Sequence, residues 1–192
     1  NILDTELSYR GVTDAVRTGN GFLGTIEFFP EEGKYHYDGH RACNVSLPPD
    51  ETIRRNFLCP VCSKKVTVGV MHRVKNLADR EAGFKPADAK DYYSIIPLPE
   101  IIAETLKVGV NSKKVVNEYM NLLGKLGSEF SILMDLPLDE IEKAGFPVIR
   151  EAIARMRSGE GSIAPGFDGE FGKVKIFAPI EKEETKGQRM LF

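Results

Sequence analysis

The sequence predicts an α+β fold in which a small unit of short strands comes ahead of a small all-helical unit. Three observations predict it. His40, Cys43, Cys59 and Cys62 form two x2-spaced pairs, HRAC and CPVC, with fifteen residues between Cys43 and Cys59. Runs rich in aromatic and β-branched residues, FLGTIEFFP and VTVGV, lie on either side of the pairs. Beyond residue 95 the apolar residues recur instead at helical spacing, punctuated by proline and glycine. Two close pairs at this separation are the arrangement of a structural tetrahedral zinc site. An x2 separation wraps the backbone so that two side chains converge on one ion while nearby amides face the sulfurs. The first unit is therefore expected to be zinc-ribbon-like, with structural Zn2+ as cofactor.

Taken in order, residues 1–34 read as the end of an upstream domain and a connecting strand. Val12, Ala15 and Val16 mark one face of a short helix that ends at Thr18-Gly19-Asn20-Gly21, and FLGTIEFFP follows as a strand closed by Pro30. Residues 35–80 are the zinc-binding unit. Pro48-Pro49-Asp50-Glu51-Thr52 turns into a short helix reaching Asn56, and KKVTVGVMHRV reads as one or two strands. The polar, turn-rich stretch 81–94 reads as a linker. In the helical unit, 95–160, Ile101, Ile102 and Leu106 mark the first helix, and Asn111-Ser112 can cap the second, with Val115, Val116, Tyr119, Leu122 and Leu123 on its apolar face. EFSILMDL is a third apolar segment, Asp139-Glu140 open a short helix ending at Gly145, and Pro147 opens the last long one. LPLDEIEKAGFP has features of a helix-hairpin-helix, whose hairpin amides hold a phosphate, but its glycine is poorly placed for that and a plain helix–helix corner is the competing reading. Residues 161–192 are a glycine-rich loop, the strand GKVKIFAP and a charged, loosely held tail.

The fourth metal ligand is open at this level. His40 has the right spacing to Cys43, but His72, ten residues past Cys62, could return over the site through a hairpin, and His36 lies four residues before His40. One disulfide with a spare thiol is the alternative for the three cysteines. A redox-active CPVC is disfavoured by the paired His40 and Cys43. Asp38 near His36 is too little to specify a catalytic cluster.

Three cysteines in metal spacing suggest a reducing compartment, the cytoplasm. No apolar run approaches membrane-spanning length, and NILDTELSYR lacks the regions of a signal peptide. The chain begins with Asn, which suggests a piece of a longer protein. With 26 Lys and Arg against 28 Asp and Glu, the net charge of −2 gives no sign of a whole surface made for nucleic acid. Binding depends on where charge sits, and Arg54-Arg55, Lys64-Lys65, His72-Arg73-Lys75 and Lys113-Lys114 are the local clusters, each ordinarily a solvated face. The motifs G-x-x-x-x-G-K-[ST] and H-E-x-x-H are absent from the sequence, as is a Ser-His-Asp set with supporting context.

Longer blocks carry a family likeness. GFLGTIEFFPEEGKYHYDGHRAC (21–43), LCPVCSKKVTVGVMHRVKNLADR (58–80) and IIPLPEIIAETLKVGVNSKKV (95–115) resemble the endonuclease Q family, and GSEFSILMDLPLDEI (127–141) and APGFDGEFGKVKIF (164–177) continue the likeness. The resemblance implies a PHP domain that carries the catalytic divalent metals, then a zinc-binding domain, then a helical C-terminal domain. It implies nicking of DNA on the 5′ side of a deaminated base such as uracil or hypoxanthine. The family's zinc ligands fall on Cys43, Cys59 and Cys62, with His40 as the fourth. Its catalytic motifs lie upstream of a segment like TELSYRGVTDAVRTGNGFLGT, so the chain resembles the non-catalytic half, with no catalytic residue of its own. Its partners would be DNA and the upstream PHP domain. Arg54, Arg55, Lys64, Lys65, Arg73, Lys113 and Lys114 are the expected backbone contacts, Tyr35 and Tyr37 could stack or pack, and the APGFDGEFGKV loop could approach a ligand closely. Two other classes compete: a structural module supporting the upstream domain without touching DNA, and an independent metal-dependent hydrolase.

Overall fold

Ser8 starts the first helix and Gly19 stops it. The Ser8 hydroxyl accepts the Gly11 N–H at 3.0 Å, and Gly19, at φ +79°, closes α1 (Tyr9–Thr18) in the left-handed conformation that glycine takes freely. The structure, a computed structural model, describes residues 1–177. β1 (Ile2–Leu3) precedes α1, and the expected strand follows as β2 (Phe22–Glu27). β2 is the middle strand of a three-stranded sheet, antiparallel to β1.

The other neighbour of β2 corrects the reading of 81–94 as a linker. That stretch ends in a strand, Asp91–Ser94, which lies parallel to β2 with Gly24 opposite Asp91. Its charged flanks disguised it, but Tyr92 and Tyr93 are strand formers once a partner edge exists. Gly24 admits the close approach, since a Cβ there would lie 2.4 Å from the Asp91 carbonyl oxygen.

The unit between is small. β3 (Asp38–His40) and β4 (Val45–Leu47) pair as an antiparallel hairpin around a 3-10 turn at Arg41–Cys43. α2 (Pro49–Arg54) follows, then a knuckle in which Leu58 bridges Lys65. The expected strands in KKVTVGVMHRV reduce to single bridges at Lys65 and Thr67, and Val70–Leu77 is a helix, α3. The tertiary setting decides this. The N-cap Gly69 donates its N–H to the buried Asp38 carboxylate at 2.7 Å, which anchors a helix start that β-branched local sequence does not favour. The strand after it, Asp91–Ser94, is β5.

The helical unit forms as expected: α4 (Leu98–Leu106), α5 (Lys113–Leu126), α6 (Leu138–Lys143) and α7 (Pro147–Ser158). The apolar segment EFSILMDL supplies a π-helical turn, Ser131–Asp135. α4 and α6 both start from a proline N-cap in nearly one conformation, φ −53° ψ 138° at Pro97 and φ −56° ψ 134° at Pro137. The apolar faces of the helices meet in a core where Leu98, Ile101, Ile102, Leu122, Ile132, Ile141 and Ile153 are fully buried. Arg157 donates to the carbonyls of Ile132, Leu133 and Leu136, satisfying the loose end of the π turn. At the α6–α7 corner, Gly145 and Phe146 donate their N–H groups to Glu142 and Ile141 at 2.9 and 3.2 Å. Those two hairpin amides are taken up in capping α6.

β6 (Ser162–Ala164) and β7 (Lys173–Lys175) make a last hairpin. The loop between them corrects the expectation that its glycines approach a ligand. They approach the chain's own backbone: Gly166 N–H donates to Glu31 O, Gly169 N–H to Lys34 O and Gly172 N–H to Glu32 O, at 2.8–3.0 Å. A Cβ at Gly172 would collide with the Glu31 carbonyl. The far end of the hairpin is rooted among the helices. Glu104 of α4 accepts the N–H groups of Ile176 and Phe177 at 3.0 Å, and Ile176 is buried in the helical core. The end of the GKVKIFAP strand and the charged tail lie outside the described residues. No helix among those described is long and apolar enough to cross a membrane.

Candidate metal centre

Both close-spaced pairs sit on hairpins, and the hairpins bring them together. His40 ends β3, and the 3-10 turn carries the chain to Cys43. Asn44 at φ +50° then reverses it into β4. Cys59 and Cys62 lie in a tighter turn closed by Cys59 N–H to Lys64 O at 2.8 Å and Ser63 N–H to Cys59 O at 2.9 Å, with Ser63 at φ +57°. The ligand atoms of His40, Cys43, Cys59 and Cys62 all lie within 4.8 Å of one another, and His40 Nδ1 is 3.4 Å from Cys62 Sγ. The three cysteines are free thiols, which removes the disulfide alternative.

The donor set fits a tetrahedral ion. Metal–sulfur bonds of about 2.3 Å and a metal–nitrogen bond of about 2.0 Å place such donors roughly 3.5–4 Å apart, the scale of the spacing here. The electrostatics fit as well. Burial opposes ionisation of Cys59, yet the amides of Cys62 and Val61 and the His40 ring bring its thiol down to about 6. Cys43 goes the other way, to about 11, because it is hydrogen-bonded to Cys62, is desolvated and has Cys59 beside it. Several thiolates this close need a cation between them. The group can hold a metal ion.

The two competing histidines are engaged elsewhere. His72, on α3, is 5% exposed and its Nδ1 lies 2.8 Å from Asp38 Oδ2, with its ring against Phe57. His36 Nδ1 lies 2.9 Å from the Pro30 carbonyl oxygen, which makes that nitrogen the donor. Of the three candidates, His40 is the one that joins the cysteines.

Asp38 is the residue that the sequence undervalued. It is fully buried and receives both the Gly69 amide and His72, so it fastens α3 to the strand that carries His40. Its signal, one carboxylate two residues before a ligand, is too common to stand out. Asp38→Ala is expected to leave two buried donors unpaired at about 1–3 kcal/mol each. A lowered urea midpoint with unchanged metal stoichiometry in the purified protein is the expected observation, and an unchanged midpoint would contradict the anchoring role.

The basic candidates divide between two places. Arg54, Arg55, Lys64, Lys65 and Arg73 are exposed on or beside α2, the knuckle and α3, whereas Lys113 and Lys114 open α5 in the helical unit. Arg55 is held by Glu51 at 2.7 Å. Lys75 is held by Asp50 at 2.6 Å. Tyr35 is 46% exposed, and Tyr37 packs against His36.

The fold as a whole is similar to that of lesion-specific DNA endonucleases. PfuEndoQ from Pyrococcus furiosus, a lesion-specific endonuclease, superposes with a TM-score of 0.78 at 28% identity over 91% of this chain and 44% of its own. Endonuclease Q in complex with a 27-mer duplex substrate, with an abasic lesion at its active site, superposes with a TM-score of 0.75 at 27% identity over 93% of this chain and 47% of its own. Residues 97–160 match the family described as the MJ0043 C-terminal domain. Uncharacterized protein MJ0043 of Methanocaldococcus jannaschii is 32% identical over 164 residues, 85% of this chain and 20% of its own. The chain thus spans a fifth of its curated relative and less than half of each solved structure.

Proposed function

We propose that this chain is the zinc-containing, DNA-engaging portion of a cytoplasmic repair endonuclease that nicks DNA 5′ to a deaminated base, uracil or hypoxanthine. The catalytic divalent metals belong, in this reading, to an upstream PHP domain. The observation that carries it is the likeness, over 93% of the chain, to endonuclease Q in complex with a lesion-bearing duplex. His40, Cys43, Cys59 and Cys62 hold Zn2+, whose charge offsets the thiolates and whose bonds fix the two hairpins of a zinc-ribbon-like unit. The metal is structural, because four protein donors leave no open position for a substrate. Arg54, Arg55, Lys64, Lys65, Arg73, Lys113 and Lys114 neutralise phosphates and hold the duplex against the upstream active site. Flipping a base costs a few kcal/mol and is cheapest at a mispair, so a clamp that holds the backbone assists selection without reading the base.

Equilibrium binding to matched duplexes with thymine or uracil at one site, across a salt series, tests this. Seven phosphate contacts would weaken binding by roughly a thousandfold or more between about 50 and 200 mM salt. A uracil preference would place part of the base recognition in these residues, and salt-sensitive binding without preference would leave the chain a clamp. A structural module that only supports the upstream domain is the second reading. It is favoured by the exposed apolar side chains near the start, Leu7 at 98% and Tyr9 at 89%, with Val16, Leu23 and Phe28. No binding to either duplex would select it.

A further inference from the structure

The two halves of the metal centre are built differently. The Cys59–Cys62 half is self-sufficient: its turn is closed by its own backbone, and its own amides face the Cys59 sulfur. The His40–Cys43 half is not. The N–H of Arg41, directly after His40, donates to Asp168 Oδ2 at 2.6 Å, from 127 residues further along the chain. The Arg41 guanidinium pairs with Glu170 from the same loop. The Thr67 side chain lies beside Asp168 and, with the Arg41 amide, helps to hold its carboxyl below the usual range. Thr67 is bonded through its backbone to Gly39, directly before His40, at 2.8 and 2.9 Å. One carboxylate therefore fixes the residue after the ligand and lies beside the segment paired with the residue before it.

The loop presents that carboxylate by a specific local device. Phe167 and Glu170 exchange both backbone hydrogen bonds, at 3.0 and 2.8 Å, around Asp168 at φ +44° and Gly169 at φ +90°. Positive φ at both central residues is the requirement of the tight hairpin turn for which Asp-Gly is a preferred pair. Phe167 then lies against Gly39, where a Cβ would come within 2.5 Å of its ring. The Tyr37 N–H donates to Gly166 O at 2.9 Å and completes the seam.

We propose that Asp168 is a positioning residue for the metal centre, bracing the His40–Cys43 half from a strap rooted in the helical core. Hydrogen-bonded partners that orient ligands set metal affinity as the ligands do, and losing one typically costs about 10- to 100-fold. The bland alternative is that Asp168 serves only its turn. Two substitutions separate these roles. Asp168→Gly keeps the residue freedom that the turn needs and removes the carboxylate, while Asp168→Asn keeps both the turn and an acceptor oxygen. The inference rests on the reading of these four residues as a metal site, so the probe is Co2+ itself. Its thiolate-ligated absorption reports binding directly, and competition with a chelator gives affinity.

The wild-type chain is expected to take up one tetrahedral Co2+. D168G should lose about 10- to 100-fold in affinity while keeping wild-type far-UV circular dichroism, and D168N should stay close to wild type. Cobalt affinity equal to wild type in D168G would overturn the bracing role. No tetrahedral cobalt spectrum in the wild-type chain would overturn the metal reading and this inference with it. Should D168G fail to fold, Glu170→Gln, which removes the charge by which the same loop holds Arg41, is expected to weaken cobalt in the same direction. An unchanged affinity there would count equally against the proposal.

Discussion

Cys59→Ala is expected to abolish stoichiometric metal and to melt the segment from Asp38 to Leu77, while the helical core keeps its own transition. The buried cluster of the small unit consists of Leu47, Cys59 and Val66, with Cys43, Val45 and Cys62 packed on it. Half of those six residues belong to the group that can hold a metal ion. The buried Leu47 and Val66 side chains contribute together about 3–6 kcal/mol. A structural zinc contributes about 10–16 kcal/mol of apparent folding energy in small zinc-finger peptides, so an ion held here would outweigh the apolar core. Removing Cys59 takes away the best-buried donor of the candidate site, at 2% exposure, and leaves Cys62 and Cys43 without the partner that completes the set. Chelation should reproduce the result without any mutation. Metal analysis together with amide exchange across residues 38–77 reads both. A C59A protein that carries no metal yet shows wild-type protection there would refute the structural role of the ion.

What could be read in the sequence, and what could not, follows from the range of the interactions involved. The two knuckles were legible because a metal site of this kind is written at x2 spacing. Each helix of the second half was legible because its cap and its apolar stripe lie within one window: Ser112 before α5, Pro147 at the start of α7. α3 was not legible. Its start is anchored by Asp38, thirty-one residues upstream, and VTVGV by itself has the period of a strand. β5 was hidden for a related reason. A strand of four residues with exposed tyrosines has no apolar alternation, and it exists because β2 offers an edge. The glycine loop shows the same limit, since its residues specify close approach but not the group that approaches. Close approach is what its glycines permit, but the approaching group is backbone from Glu31 to Lys34. The choice among His36, His40 and His72 likewise needed three dimensions, since each was within reach by chain length and the decision lies in Pro30 and Asp38, which engage the other two.

Ile153→Ala should destabilise the helical unit by about 2–5 kcal/mol, the range for removing a fully enclosed aliphatic side chain whose surroundings cannot collapse. Ile153 has no exposed surface and shares the inner face of α7 with Ile149 and Met156, one turn to either side. α7 packs against α4 and α6, so a cavity there is walled by helices on two sides. Ile153→Val should cost only about 0.5–1.5 kcal/mol. Val148→Ala on the outer face, at 55% exposure, should stay within about 0.5 kcal/mol. Thermal melts of the three variants give the order directly, and an I153A melt matching that of V148A would mean that this core is not what holds the helices. The same variant tests how the two units communicate. Ile176, at the root of the strap, is buried in the core that Ile153 helps to form, and the strap carries Asp168 to Arg41. A core that loosens should therefore release the brace before the ligands themselves change. Cobalt retention in I153A should fall at temperatures where the helical transition is under way, and should match wild type well below it. If retention instead follows wild type through that transition, the metal centre stands on its own knuckles and the strap is only a fastening of the chain.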